Sequence, residues 1–281
     1  PEPPTLFDNF AGRCGAAKLA SMSLTDLLPR HFHLTRPRRM NDQQFESWNA
    51  VYGPKNKLFE QSNLKGKDLI RWRYQRYIKD YLRTVAAIDD NIGRLLDYLD
   101  RTGLAKNTIV IYSSDQGYYL GEHGWVDKRW MYEPSLRTPL LVRWPGVSKP
   151  GTVDYHLVQN LDIAPTLLSA AQVAIPADLQ GRSLKPLLAG DNSVPWRDAI
   201  YYHFYESDGW GNVPAHYGVR TDQHKLIHFY EINEWEMFDL EKDPRELQSV
   251  YEDEAYGIIR QQLETKLKDL RNQYQIVNDK S

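Results

Sequence analysis

The sequence has a single cysteine, Cys14, and no long hydrophobic run. One thiol excludes an internal disulfide and a metal cluster built from cysteines alone. A membrane-spanning helix needs roughly 18 or more consecutive apolar residues, and no such stretch occurs. The first residues, Pro1-Glu2-Pro3-Pro4, include neither an initiator methionine nor a signal peptide. We therefore expect a processed chain or the C-terminal part of a longer one.

An excess of positive charge is also absent. The 35 Lys and Arg residues against 37 Asp and Glu residues give a net charge of −2, so a broad contact with a nucleic-acid backbone is not expected. Hydrophobic residues at 41% and charged residues at 26% exclude a disordered chain or a coiled-coil rod. Tyrosine and tryptophan are plentiful, and their rings suit a sugar-like ligand as well as a core of large side chains.

A long amphipathic helix is predicted over residues 67–101. Apolar side chains recur there at steps of three and four from Tyr74 to Leu99, and Gly103 stands where the helix should end. Residues 1–66 have weak periodicity and many prolines and basic residues. They predict an irregular connecting segment with a few short helices.

The rest of the chain predicts an α/β layer followed by an antiparallel sheet. Runs at 108–113 and 139–144 are typical of strands covered on both faces, as in a parallel sheet, and Asp162 is a candidate cap for a helix over 162–171. We expect residues 67–190 to belong to an α/β core and 191–281 to form a sheet-plus-helix subdomain. Its predicted elements are strands at 199–205, 216–221, 225–230 and 235–240 and a helix within 251–274.

Two oxygen-bearing side chains follow the first of these strands. Asp115 and Gln116 lie at the carboxyl end, where ligands bind in open α/β sheets, and Gly117 permits a sharp turn. Carboxylate and amide oxygens favour a hard cation such as Ca²⁺ or Mg²⁺. The alternative is an ordinary Asx-type turn. A zinc protease is poorly supported, because no second histidine stands four residues from His123.

Three further polar residues follow this turn. His123 is a candidate proton donor or anion contact, or an ordinary hydrogen-bonded histidine. Lys128 and Arg129, between Trp125 and Trp130, would attract an anionic substrate and stabilise charge on its oxygens. A solvated pair of cations is the alternative.

The predicted meander carries a second candidate group. A pocket for sugar hydroxyls would combine aromatic rings with charged and imidazole side chains, whereas the alternative is a polar sheet face. The candidates are His203, Glu206, His216 and Arg220.

Taken together, these segments resemble the formylglycine-dependent sulfatases of the alkaline phosphatase superfamily. The similarity covers roughly residues 67–275 and is most like bacterial enzymes that act on glycosaminoglycan or mucin sugars, of the N-acetylglucosamine-6-sulfatase kind. It is carried by SSDQGYYLGEHGW at 113–125, DKRWMYE at 127–133, RTPL at 137–140, LDIAPTLL at 161–168, QGRSL at 180–184, MFDL at 237–240 and DPRE at 243–246.

The resemblance implies the C-terminal part of an alkaline-phosphatase-like α/β sandwich and hydrolysis of sulfate esters on sugars. By motif position, Asp115 and Gln116 would bind Ca²⁺, or Mg²⁺ in its place, and Lys128 and His123 would be catalytic. The resemblance also makes sulfated carbohydrate the expected partner and export, periplasmic or extracellular, the expected localisation. Substrate contacts would come from Trp125, Arg129, His203, Glu206, His216 and Arg220.

One part of the family pattern is not assigned. The family nucleophile is a cysteine or serine converted to formylglycine within a C/S-x-P-x-R motif, and Cys14 lacks the proline and arginine. Formylglycine and the other metal ligands are expected in a preceding N-terminal half of the same enzyme, which becomes a required partner. Two alternatives stay open: a phosphonate or phosphodiester hydrolase of the same superfamily, and a non-catalytic remnant that binds a sulfated glycan.

Overall fold

The structure, a computed structural model, describes residues 1–191, 193–206 and 209–276. They form two compact units. The first contains residues 1–9, 21–97 and 118–127, and the second contains 10–20, 98–117 and the chain from 128 onward. The domain boundaries predicted after residues 66 and 190 stay a prediction. No helix among the described residues has both the length and the apolar character needed to cross a membrane.

Helices and short strands alternate through most of the described chain. The α-helices are α1 (Gly15–Leu19), α2 (Asp42–Ser62), α3 (Gly66–Arg101), α4 (Glu133–Leu136), α5 (Ile163–Ala170), α6 (Lys185–Ala189) and α7 (Gly257–Gln273). The strands are β1 (Val110–Ser113), β2 (Tyr119–Leu120), β3 (Val126–Asp127), β4 (Leu140–Arg143), β5 (Ala199–Phe204), β6 (His216–Thr221), β7 (His224–Phe229) and β8 (Glu234–Asp239).

Helix α3 confirms the predicted amphipathic helix, whereas α2 was missed. The start of α2 is fixed by Asn41, whose side chain accepts the backbone N–H of Gln44 at 2.8 Å. Pro54 lies inside the helix, which weakened the sequence signal. Aromatic rings spaced one turn apart stack along α2, with centroids of Trp48 and Tyr52 5.2 Å apart. This stack, rather than an aliphatic stripe, stabilises the helix.

The core of the first unit gathers side chains from its three segments. Leu6, Leu24, Phe32, Tyr74 and Val126 are all buried and pack together. The short antiparallel pair β2–β3 brings Leu120 opposite Val126, so the chain between these strands turns back on itself. This reversal contains residues 121–125, which carry part of the candidate site.

Strands β1 and β4 are antiparallel, which corrects the expectation of a parallel sheet. Ser113, the last residue of β1, pairs with Leu140, the first of β4. The connecting chain leaves and re-enters at the same end of the pair, which requires antiparallel strands, whereas a parallel pair needs a crossover along the sheet. A continuous apolar run indicates burial on both faces but carries no information about strand direction.

The antiparallel meander is confirmed, with strand order β5-β6-β7-β8. Helix α7 covers one face, where Leu263 and Leu267 pack against Val219, Leu226 and Met237. The opposite face approaches residues 129–133, and Gly218 allows this because a β-carbon there would collide with the backbone oxygen of Leu226 and the sulfur of Met131. The sheet therefore packs against the apolar face of α7 on one side and, on the other, against a loop in which Trp130, Met131 and Tyr132 are fully buried.

Asp162 does not cap α5 in the predicted way. Its carboxylate is fully buried and receives both terminal nitrogens of Arg197, at 2.5 and 2.6 Å. It also accepts the backbone N–H of Gln159 at 2.7 Å and of Arg182 at 2.8 Å. Both carboxylate oxygens therefore accept hydrogen bonds, which offsets the cost of burying the charge. The ion pair with Arg197 also joins the start of α5 to the segment that leads into β5.

Candidate active site

The turn after β1 presents Asp115 to solvent. One carboxylate oxygen accepts the backbone N–H of Gln116 at 3.1 Å and lies 3.4 Å from the Ser114 hydroxyl, whereas the other makes no hydrogen bond with any described residue. The Asp115 carbonyl accepts the Asn160 amide at 2.6 Å. The backbone is therefore held while one oxygen stays open to a cation. The local contacts also agree with the Asx-type alternative.

The backbone around this turn is closely packed. Gly117 donates its N–H to the Ser135 carbonyl at 2.8 Å, and a β-carbon at this position would collide with the carbonyl oxygens of Pro134, Ser135 and Arg137. No cluster of three or more His, Cys, Asp or Glu side chains suited to a metal occurs among the described residues. Asp115 and Gln116 thus fit a hard cation only as part of a larger set of six to eight ligands.

His123 is held by a carboxylate that the sequence did not suggest. The residue is 3% exposed, its Nδ1 lies 2.8 Å from an Asp8 oxygen, and its N–H donates to the Thr5 hydroxyl at 2.9 Å. Its φ of 56° lies in the left-handed region, in the tight turn between Gly121 and Gly124. A carboxylate at Nδ1 fixes the orientation and tautomer of the ring, an arrangement suited to proton transfer through Nε2.

Trp125 belongs to the core of the first unit. The residue is 1% exposed, and its ring packs edge-on against the ring of Tyr119, with the two centroids 5.4 Å apart. This burial contradicts a direct contact between the Trp125 ring and a substrate. The tryptophan supports the turn that carries His123, with the ring centroids 5.8 Å apart.

Lys128 and Arg129 begin a loop packed on the meander. Lys128 is half-buried. The Arg129 N–H donates to the Ser135 hydroxyl at 3.0 Å, and its carbonyl accepts the Tyr202 hydroxyl at 2.6 Å. The guanidinium lies over the Trp210 ring, 5.1 Å from its centroid. A cation on an accessible indole can contact both a sugar and its anionic substituent.

The predicted sugar pocket on the meander is not assembled as expected. His203 pairs with Tyr217 across β5 and β6, whereas the neighbouring pair is Phe204 with His216. Successive residues of a strand point to opposite faces, so His203 and His216 lie on different faces of the sheet. His203 is bonded to the Tyr201 hydroxyl at 2.9 Å. Glu206 is exposed just beyond β5.

His216 and Arg220 both make contacts within the chain. His216 is fully buried and donates from Nδ1 to the Pro214 carbonyl at 2.8 Å; its Nε2 makes no hydrogen bond within the described part of the chain. Arg220 is paired with Glu133, with the closest N–O distance 3.3 Å. The alternative weighed for this group, a polar sheet face, agrees with the contacts of these two residues.

Two family models match the chain. One, described as Sulfatase, matches residues 3–173, and the other, N-sulphoglucosamine sulphohydrolase, C-terminal, matches 121–273. The chain belongs to the sulfatase family. This sulfatase chain is 43% identical, over 98% of its length, to an N-acetylglucosamine-6-O-sulfatase of Bacteroides thetaiotaomicron, and it spans 53% of that enzyme.

Solved structures confirm the α/β, alkaline-phosphatase-like fold class with its antiparallel subdomain. The structure of BT4656 in complex with its substrate D-glucosamine-2-N,6-O-disulfate is 42% identical, with a TM-score of 0.94 over 98% of this chain and 60% of that one. A phosphonate monoester hydrolase of Agrobacterium radiobacter is 29% identical, with a TM-score of 0.65 over 72% of this chain and 42% of that one.

A buried ion network in the sulfatase chain was missed by sequence reasoning. Lys225, fully buried on β7, lies 2.5 Å from a carboxylate oxygen of Glu246 and 3.0 Å from one of Glu133. Glu246 also accepts the backbone N–H of Glu133 at 2.7 Å. Burial raises the pKa of Glu133, but Lys225 and Arg220 outweigh it and lower that pKa to about 2. The network attaches the start of α4 to the meander.

Cys14 and Glu236 form a second buried contact. Glu236 accepts the backbone N–H of Cys14 at 3.0 Å and the Tyr132 hydroxyl at 2.5 Å. Burial, with a further contribution from Glu236, raises the pKa of the Cys14 thiol far above its ordinary value. The thiol therefore stays protonated, which does not favour a nucleophilic role for Cys14.

The spacing S-x-P-x-R also occurs at Ser193, Pro195 and Arg197. The structure uses these side chains differently. Arg197 is paired with buried Asp162, and the exposed Ser193 hydroxyl donates to Asp191 at 2.6 Å. With its arginine engaged in a structural ion pair, this segment does not form a nucleophile site.

Acidification from pH 7 to pH 4 is expected to destabilise the sulfatase chain through His216. Burial lowers its pKa from 6.5 to about 4, so the unfolded chain binds a proton in this interval and the folded chain does not. The free energy of unfolding should fall by up to about 3 kcal/mol from this group. Urea unfolding at several pH values should show a shallower slope in His216→Asn, whereas exposed His156→Asn should keep the wild-type slope. Equal slopes in all three proteins would contradict the assignment.

Proposed function

We propose that the complete protein hydrolyses sulfate esters of sugars, with an N-acetylglucosamine 6-sulfate unit as the favoured substrate. The observation that carries this proposal is the 43% identity over nearly the whole chain to an enzyme of that name. It includes the segment from Asp115 to Arg129, in which an exposed carboxylate, an aspartate-paired histidine and two adjacent cations occur. These groups suit a substrate that carries a compact anion on a sugar.

The proposed division of roles follows the chemistry of each side chain. Lys128 would hold the sulfate oxygens and stabilise the negative charge that grows on them in the transition state. His123, oriented by Asp8, would pass a proton to the departing sugar oxygen. Arg129 on Trp210 would bind the sugar and its anionic substituents. We do not propose substrate contacts for Trp125, His216 or Arg220.

Formylglycine, when present, would supply the oxygen nucleophile, and a bound divalent cation would polarise the sulfate. We propose that Asp115 and Gln116 contribute two of the cation's ligands and that an N-terminal half of the same enzyme supplies the others. The chain spans 53% of the length of the N-acetylglucosamine-6-O-sulfatase it resembles. Helix α3 also exposes apolar side chains, among them Val85, Ile88 and Leu95. Export is proposed by analogy with the family.

Replacing Asp115 with alanine in the full-length protein is expected to weaken Ca²⁺ binding about 10- to 100-fold, because one charged ligand is lost. Isothermal titration of Ca²⁺ into the metal-free protein measures this directly and needs no turnover. Asp178→Ala, at another exposed aspartate of the chain, is the matched control. Equal affinities in wild type and Asp115→Ala would remove Asp115 from the ligand set.

The substrate proposal is tested with the full-length enzyme. Release of sulfate from N-acetylglucosamine 6-sulfate, compared at equal concentration with hydrolysis of a phenyl phosphonate monoester, should favour the sulfate ester. The second candidate function, phosphonate hydrolysis, rests on the 29% identity to a phosphonate monoester hydrolase. The reverse preference would support that candidate. Binding of the sulfated sugar without turnover would favour the glycan-binding alternative.

A further inference from the structure

The backbone on both sides of Lys128 is in an unusual conformation. Asp127 has a φ of 75° and Arg129 a φ of 101°. Non-glycine residues rarely adopt such values, because the β-carbon crowds the backbone, and they persist only where surrounding contacts hold them. Contacts with the rest of the fold must therefore hold the backbone in this conformation next to Lys128, the proposed sulfate-binding residue.

Two hydrogen bonds hold the backbone of Arg129, one at its N–H and one at its carbonyl. The buried Ser135 hydroxyl accepts the Arg129 N–H at 3.0 Å, and the Tyr202 hydroxyl donates to the Arg129 carbonyl at 2.6 Å. Burial raises the pKa of Tyr202, so its hydroxyl stays a donor. The Tyr202 ring is itself fixed by stacking on His216, with centroids 5.6 Å apart.

Trp130, the residue after Arg129, is held in place by the core. Trp130 is fully buried and stacks on His216, 5.8 Å between centroids, and packs edge-on against Phe229, 5.3 Å away. If φ of Arg129 relaxed toward negative values, the chain would rotate about its N–Cα bond. Because Trp130 is held in the core, the residues that moved would be those before Arg129, beginning with Lys128.

We propose that Tyr202 is a positioning residue for Lys128: by holding the Arg129 carbonyl, it keeps the strained loop in the shape that directs Lys128 toward the substrate. This proposal rests on the function proposed above. It gives the C-terminal sheet a role in the reaction, although Tyr202 itself touches no reacting atom.

The first test needs no turnover. Trypsin cleaves after lysine and arginine, so in the full-length protein Tyr202→Phe should be cleaved after Lys128 or Arg129 about tenfold faster than wild type, with an unchanged Tm. Tyr256→Phe is the matched control, because its hydroxyl donates to Asp239 at 2.8 Å, away from this loop. Ser135→Ala, which removes the other hydrogen bond, should behave like Tyr202→Phe. Cleavage of Tyr202→Phe at the rate of the control would overturn the proposal.

The second test is a double-mutant cycle in turnover of an aryl sulfate. Tyr202→Phe should lower kcat about 10- to 100-fold with little change in KM, since a catalytic group displaced by a fraction of an ångström is less effective. In a Lys128→Ala background the same substitution should have almost no effect. An equal loss in both backgrounds would show a general structural role and overturn the proposal. If the wild-type enzyme hydrolysed no sulfate ester, the function proposed above would fail, and the cleavage rates would still decide whether Tyr202 holds the loop.

Discussion

Replacing Lys128 with alanine is expected to lower kcat for a sulfate ester by about 100- to 1,000-fold, the usual cost of removing one donor that stabilises transition-state charge. The Tm should change little, because the side chain is only half-buried. Steady-state kinetics on an aryl sulfate and thermal unfolding, both with the full-length enzyme, measure the two quantities.

Two further variants sharpen this expectation. Lys128→Arg keeps the charge but changes the geometry of its donors, so it should retain more activity than alanine without reaching the wild type. Lys106→Ala removes an exposed lysine elsewhere in the same unit and should leave kcat unchanged. Wild-type kinetics in Lys128→Ala would remove this lysine from the reaction.

Replacing Lys225 with methionine is expected to destabilise the protein by about 3–5 kcal/mol, because Glu246 would be left as a buried carboxylate without its cation. The carboxylates of Glu133 and Glu246, which both contact Lys225, would also lose the cation that lies between them. Chemical denaturation with a two-state fit measures the loss where the transition is cooperative.

The matched control is a lysine–aspartate pair at the surface. Lys266 lies 2.5 Å from Asp198, whose side chain is largely exposed, so Lys266→Met should cost less than about 1 kcal/mol. The double variant Lys225→Met/Glu246→Leu should recover most of the loss in the free energy of unfolding. It removes both members of the fully buried pair, and Glu133 keeps Arg220 as its cation. If both lysine variants lost the same small amount, the network would contribute no more than a surface pair does.

The elements predicted well carry a strong local pattern. Apolar residues recur at the helical period along α3, although Val85, Ile88 and Leu95 of that stripe are exposed, and the four strands of the meander are short runs rich in β-branched and aromatic residues. Helix α2 was missed because aromatic stacking replaces an aliphatic stripe and Pro54 interrupts the pattern. The direction of β1 relative to β4 depends on where the connection re-enters, which no local pattern encodes.

The candidate site divides in the same way. Asp115 and Gln116 could be proposed from the sequence because the end of a strand can be predicted there. The partners that organise the site could not, since Asp8 lies 115 positions from His123, and Tyr202 lies 73 positions from Arg129. The sequence grouped His203 and His216, whereas strand alternation places them on different faces of the sheet. A candidate residue within one segment can be predicted from the sequence, whereas a contact between residues far apart in the sequence cannot.

Because the Cys14 thiol stays protonated, the chain suits labelling at an introduced cysteine for spectroscopy. The chain has no other cysteine, and this one is kept protonated beside Glu236. Thiol-directed dyes and spin labels react with thiolates, so they should bypass it. A cysteine introduced at an exposed site, such as Lys106, would then report on this chain from a single known position without prior removal of the native thiol.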